Sequence, residues 1–194
     1  MSQNLSDLTD AMLAAAKKAG ADTCDAIAVD GTSLNIDVRD GALEQAERSE
    51  GVDIGLRVFL GQKQACVSAS DTSPETIREM AERAVAMAGL SPDDPNIRQA
   101  TSAEFTQQTD ATALDLFDPA DEPTADNLKE AALELEASAM QKIGISQVSG
   151  ASAAYGSRRI HLATSQGFEG GYSRTDNALS CVAIAGTGLD MQRD

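Results

Sequence analysis

Ser33-Leu34-Asn35-Ile36-Asp37-Val38-Arg39-Asp40-Gly41 and Val52-Asp53-Ile54-Gly55-Leu56-Arg57-Val58-Phe59-Leu60-Gly61 are the two stretches on which the reading of this chain turns. In both, apolar and polar residues alternate with a period of two, the spacing of a strand with one dry face. Asp40-Gly41 signals a tight hairpin, because both central residues of such a two-residue turn need positive φ. Glu50-Gly51 reads as a second turn, and Gly61-Gln62 leads into Lys63 to Ser70. Ile27 to Ser70 is therefore expected to form an antiparallel meander of four strands, with Ala42 to Ser49 as the short polar one.

Helical spacing lies on either side of it. Leu5, Leu8 and Met12 share one face of a helix from Leu5 to Ala19 that Gly20 can stop in the left-handed conformation. Ser73-Pro74 opens a second helix: the serine oxygen can accept an orphan amide, and proline in the first turn loses no needed donor. Its stripe is Ile77, Met80, Ala81, Ala84 and Ala88, with Gly89 as its end. Two apolar helix faces and one dry sheet face predict a two-layer α+β sandwich, meander packed against helices.

Beyond this, Leu90 to Pro123 holds four of the five prolines and shows no sustained period, apart from a possible strand at Ala103 to Gln107. Thr124 caps a third helix to about Ile143, with Leu128, Ala132, Leu135 and Ala139 inward and Glu130, Glu134 and Glu136 outward. Four strands follow at Ile145 to Tyr155, Arg158 to Thr164, Phe168 to Arg174 and Ala178 to Ala185. The chain is thus divided into a helix-and-meander unit at residues 1–89, a Pro/Asp-rich connection at 90–123, and a helix with antiparallel strands at 124–194. Gly186 to Asp194 supplies neither a capping helix nor a polar tail, as though the natural chain continued.

Composition restricts function. With 31 acidic against 15 basic residues, a formal charge of −16 and a pI near 4.3, the whole surface repels phosphate backbones and anionic membranes. Direct nucleic-acid and membrane binding are therefore excluded as expectations. Aromatics are only 3% of residues, too few for stacking platforms. Cys24, Cys66 and Cys181 are odd in number and lack a C-x-x-C spacing, which suggests neither a disulfide framework nor a zinc knuckle. No basic start with an apolar run marks a secretory signal, so the expected compartment is the cytoplasm.

Chemistry is sparse. The one histidine, His161, lies in an alternating run and reads as a surface or cross-strand residue, since catalysis would need a nucleophile or carboxylate beside it. No His-Glu-x-x-His helix is present, and no cluster of thiols. Asp93-Asp94 and Asp118 to Asp126 lack the glycine and terminal glutamate of a calcium-binding hand and read as loop charges. Gly167-Phe168-Glu169-Gly170-Gly171 is followed by no lysine and no helix, so it reads as a hairpin or bulge rather than a phosphate loop. Gly150 to Ala154 is not a nucleophile elbow. Arg158-Arg159 and Arg174 are positions where a carboxylate or a partner could be met. The reading therefore assigns no catalytic, cofactor-binding or metal-ligating residue.

Several phrases nevertheless resemble one family. They are Ser68-Ala69-Ser70-Asp71-Thr72-Ser73-Pro74, Leu90-Ser91-Pro92-Asp93-Asp94-Pro95, Leu114-Asp115-Leu116-Phe117-Asp118-Pro119, Thr164-Ser165-Gln166-Gly167-Phe168, Leu179-Ser180-Cys181-Val182 and Asp190-Met191-Gln192-Arg193-Asp194. In order and over nearly the whole chain, they resemble the N-terminal part of the TldD/PmbA family, described as zinc metallopeptidases and as modulators of DNA gyrase. Leu114 to Pro119 and Ser91 to Pro95 look most like its PmbA (TldE) branch. The resemblance implies a hetero-oligomer in which a TldD-like subunit carries zinc on a His-Glu-x-x-x-His motif and cuts unfolded peptides. This chain would then supply framework, partner contact and substrate guidance, with no zinc of its own. The other implied role is a protein-interaction module that modulates gyrase or another partner without proteolysis.

Overall fold

The computed structural model describes residues 4–193. Met1 to Gln3 and Asp194, which ends the last of the family phrases, lie outside the described residues. Three helices and six strands are present among those described. They are α1 Leu5–Ala19, β1 Thr23–Arg39, β2 Ala42–Leu60, β3 Lys63–Ala69, α2 Pro74–Leu90, α3 Ala125–Met140, β4 Ile145–Thr164, β5 Glu169–Ala185 and β6 Gln192–Arg193. The strands form one antiparallel sheet in the order β3-β2-β1-β4-β5-β6. The fold is α+β, as expected.

Local chemistry sets the element ends. Asn4 accepts the Ser6 amide at the start of α1, and Gly20 closes it at φ 104°. Ser73 caps α2 through the Thr76 amide with Pro74 in the first turn. Thr124 and Asn127 exchange side-chain and backbone bonds in a capping box at the head of α3. The β1–β2 turn takes positive φ at both Asp40 (52°) and Gly41 (73°).

Four local expectations are corrected. Glu50-Gly51 is not a turn: Gly51 avoids the left-handed region, and β2 runs unbroken for 19 residues. The second half likewise holds two long strands, β4 and β5, in place of four short ones. α2 passes through Gly89, which lacks positive φ. Its last carbonyls are met by the Ser91 amide before Pro92, whose ring disfavours helix in the residue ahead of it. Ala103 to Gln107 is not a strand. A 3₁₀ turn at Ser102–Glu104 occupies its start, held by the Glu104 carboxylate on the Thr101 amide and on Arg98.

The chain gathers into two compact units, each built from separated segments. One unit comprises the chain up to Gly31 with Gly51–Leu116 and Arg158–Ser173. Its core packs Leu5, Leu8, Met12 and Ala16 of α1 and Ile77, Met80, Ala81, Ala84 and Ala88 of α2 onto the sheet. The strand side offers Ile54, Leu56 and Val58 of β2 and the small residues Cys24, Ala26 and Ala28 of β1. In β1 the bulkier Ile27 is left 39% exposed on the opposite face. β3 pairs with β2 from Ile54↔Ala69 to Leu60↔Lys63.

The other unit comprises Thr32–Glu50, Phe117–Ser157 and the chain from Arg174 onward. Here Leu34, Ile36 and Val38 of β1 pack with Ala151 and Ala153 of β4 against Leu128 and Ala132 of α3. The first two helices thus cover only part of the expected meander; its Leu34-to-Val38 stripe is α3's. α3 also departs from expectation at Glu136, which is buried. It follows Leu128 and Ala132 at intervals of four on the inward stripe, and its Oε2 accepts the Gly41 amide of the β1–β2 turn at 2.9 Å.

Candidate functional site

His161 has the partners that the sequence could not name. Its Nδ1 lies 3.0 Å from Thr9 Oγ1 of α1, and its Nε2 lies 3.3 Å from Glu169 Oε1 of β5. Hydroxyl, imidazole and carboxylate in a row have the composition of a nucleophilic triad. The geometry does not allow that use. Thr9 is fully buried and its hydroxyl donates to the Ser6 carbonyl at 2.9 Å, so no substrate carbonyl can reach it. The row ties α1 to β4 and β5 within one unit. A threonine inside the α1 stripe was the available signal, since a buried hydroxyl there needs an acceptor.

On the sheet face opposite the helices, Asp25, Ile27, Gly55, Arg57, Cys66 and Leu162 line a hollow of about 490 Å³. Arg57 holds Asp25 through Nη2 at 2.6 Å and lies 5.0 Å over the Phe59 ring. The hydrogen bond and charge of Asp25 raise the Arg57 pKa, fixing its positive charge. Cys66 is exposed here, whereas Cys24 is buried in the core; burial pushes the Cys24 thiol pKa up.

The other singled-out residues take structural places. Arg159 pairs with Asp30 and Arg174 with Asp176. Gly167 (φ 91°) turns the β4–β5 hairpin, and at Gly171 a Cβ would sit 2.3 Å from the Ile160 carbonyl oxygen. Ala151 and Ala153 are core residues of β4. Asp94 and Asp118 accept amides two residues on, from Asn96 and Ala120, as turn-forming carboxylates do.

The two sheet edges are chemically the most open features. β2 is flanked on its outer side by β3 only from Ile54 onward, so Ala42 to Asp53 has no strand neighbour there among the described residues. Ala42 to Gly51 is also exposed throughout, on both faces. The two-residue turn pairs Arg39 with Ala42, so the amides of Leu43, Gln45, Glu47 and Ser49 point away from β1. On this stretch Arg48 pairs with Glu50 and Glu122, and Glu44 with Arg39. The β5 edge meets β6 only at Ile184 and Ala185. The connection follows it, however: Thr109 borders Gly170, and the Asp118 amide donates to Thr175 Oγ1 at 3.0 Å.

Among the described residues no group of three or more His, Cys, Asp or Glu is placed to hold a metal ion. The imidazole of His161 is engaged at both nitrogens. The donor set here does not fit a zinc centre, so no step through zinc is derived for these residues.

An α+β framework with an open strand edge is the class that this geometry defines. Residues 24–88 match the family description "PmbA/TldA metallopeptidase domain 1", and residues 118–194 match "PmbA/TldA metallopeptidase central domain". The chain belongs to the PmbA/TldD family. It is 30% identical over 166 residues to "Metalloprotease PmbA" of Escherichia coli O157:H7, a match covering 84% of this chain and 36% of that protein. In fold it is similar to TldE from Thermococcus kodakarensis, with a TM-score of 0.71 and 14% identity over 95% of this chain and 40% of that one. It is also similar to a Bacteroides thetaiotaomicron VPI-5482 protein described as a "putative modulator of DNA gyrase", with a TM-score of 0.77 and 16% identity over 97% and 42%. The chain spans less than half the length of each of these proteins.

Proposed function

We propose that this chain is the N-terminal, non-catalytic part of a PmbA/TldE-like member of a cytoplasmic metallopeptidase assembly. In this reading a TldD-like partner subunit carries zinc and cleaves unfolded or modified peptides. The observation that carries the reading is the pair of successive family matches, domain 1 and central domain, in a chain whose described residues hold no metal-ready cluster. The residues here act by holding partners and substrate. The unpaired amides and carbonyls of β2 from Ala42 to Glu50 suit addition of an extended peptide, whose main chain is bonded whatever its side chains.

The test is co-purification of the full-length protein with a zinc-bearing TldD-like homologue, followed by a peptide-cleavage assay on the assembly. Gln45→Pro and Glu47→Pro each remove an outward amide while sparing the bonds to β1. Peptide affinity and cleavage should fall in either variant of the folded assembly. Unchanged values in both would leave a framework role alone, and failure to co-purify would sink the assembly role. A second reading, modulation of gyrase or another partner without proteolysis, draws on the gyrase-modulator description of the similar Bacteroides protein. The charge of −16 favours contact with protein over DNA in that case. Gyrase supercoiling unchanged by the full-length protein would count against it.

A further inference from the structure

The geometry points to a notch at the end of the β1–β2 hairpin that takes one lysine or arginine side chain of a protein partner. Glu136 is its floor. The residue is only 6% exposed, yet its carboxylate accepts a single bond, from the Gly41 amide to Oε2. Among the described residues no donor reaches Oε1, and no Lys, Arg or His pairs with the group. Oε1 is not sealed either, because among the described residues no side-chain oxygen or nitrogen is both fully buried and without a partner. Glu136 lines a cavity of about 550 Å³ together with Leu133, Met140 and Val148, and with Asp40, Ser146 and Gln147 on its polar side.

A carboxylate withdrawn from water to this degree and given one neutral hydrogen bond is poorly compensated, and an incoming cation would complete it. The walls decide which cation. A divalent metal needs several oxygen ligands drawn together, whereas Asp40, Ser146 and Gln147 are exposed at the rim and Glu136 supplies one uncommitted buried carboxylate oxygen beside apolar walls. An ammonium or guanidinium head on an aliphatic stem matches both parts, head to Glu136 and stem to Leu133, Met140 and Val148. The surroundings favour a protein as its source. Met140 is 46% exposed, and Ile143, three residues on, is fully exposed, which is apolar surface for a partner to cover. The net charge of −16 draws basic surfaces toward the chain. The notch goes beyond the assembly role proposed above and stands whether or not the partner carries zinc.

The test is methyl NMR of the full-length protein, read at Leu133 and Val148 while n-butylammonium or n-butylguanidinium is added, with n-butanol as the uncharged stem. Saturable shifts with the cations and none with butanol are expected. Glu136→Gln keeps a carbonyl for the Gly41 amide and should weaken cation binding at least tenfold. Met140→Trp narrows the mouth without touching the acid and should weaken it comparably, so the inference stays testable if the Glu136 variant unfolds. Equal shifts from butanol, no shifts from the cations, or undiminished binding in folded Glu136→Gln or Met140→Trp protein would each overturn the notch.

Discussion

Gly171 faces the Ile160 carbonyl so closely that the substitution Gly171→Ala must move one of two paired strands. Urea unfolding should show a loss of about 1–3 kcal/mol, the usual cost of forced overpacking. Gly51→Ala is the control, because its Cβ would enter open space without positive φ; its stability should change by less than about 1 kcal/mol. Equal losses in the two variants would show that the approach at Gly171 is relaxed in solution. The thiols give a second contrast. Cys66 is exposed, while burial raises the pKa of Cys24, so timed alkylation at neutral pH with mass spectrometry should label Cys66 first and Cys24 only on unfolding. At this scale Asp40-Gly41 was legible because a chemical requirement, positive φ at both residues, is written in the dipeptide. Glu136 was not. Its polarity argues for solvent, and only the turn amide brought to it by folding reverses that argument.

Caps and turns govern the elements. The Thr124–Asn127 box holds the head of α3, so Thr124→Ala should cost about 0.5–2 kcal/mol in thermal or urea unfolding, and Thr124→Ser should restore most of it. In the connection, Arg98 and the Thr101 amide hold the Glu104 carboxyl down at about 2, from an ordinary 4.5. A carboxyl lowered on folding stabilises the turn above its unfolded value, and this contribution is lost as pH falls through about 2. NMR titration of the Glu104 side chain should therefore give a midpoint near 2, rising toward 4.5 in Arg98→Gln; a midpoint indifferent to that change would remove the pair as cause. All three helices were readable from their stripes and caps. Strand lengths were not, since Glu50-Gly51 has turn composition and only pairing with a neighbouring strand keeps it extended. The polarity of Ala42 to Ser49 did mark an edge, because a strand without a dry face is not covered by a helix.

For the molecule as a whole, 31 acidic residues against 15 basic ones make self-repulsion the dominant electrostatic term, since the arginines of the ion pairs are solvent-exposed and the pairs are screened. Stability should rise between about 10 and 200 mM sodium chloride, the range over which the screening length falls from roughly 30 to 7 Å. A fall over that range would mean that the ion pairs outweigh the repulsion. The candidate site was only partly legible at this scale. Edge strands can be guessed from polarity, whereas the Thr9–His161–Glu169 row joins residues 152 positions apart and needs the sheet to bring them together. The make-up of the two compact units has a consequence for how the chain comes into being. Gly51–Leu116 belongs with Arg158–Ser173, and Thr32–Glu50 belongs with the chain beyond Arg174. On the ribosome, α1, α2 and β3 emerge well before the strand that carries His161, so the partner of Thr9 is translated 152 residues after it. The core under α1 and α2 draws its residues from Leu5 to Ala88 alone, whereas the core under α3 needs Ala151 and Ala153 of β4, so a nascent chain stalled near residue 116 should already protect α1 and α2 from protease while Leu34 to Val38 stays open until β4 is made.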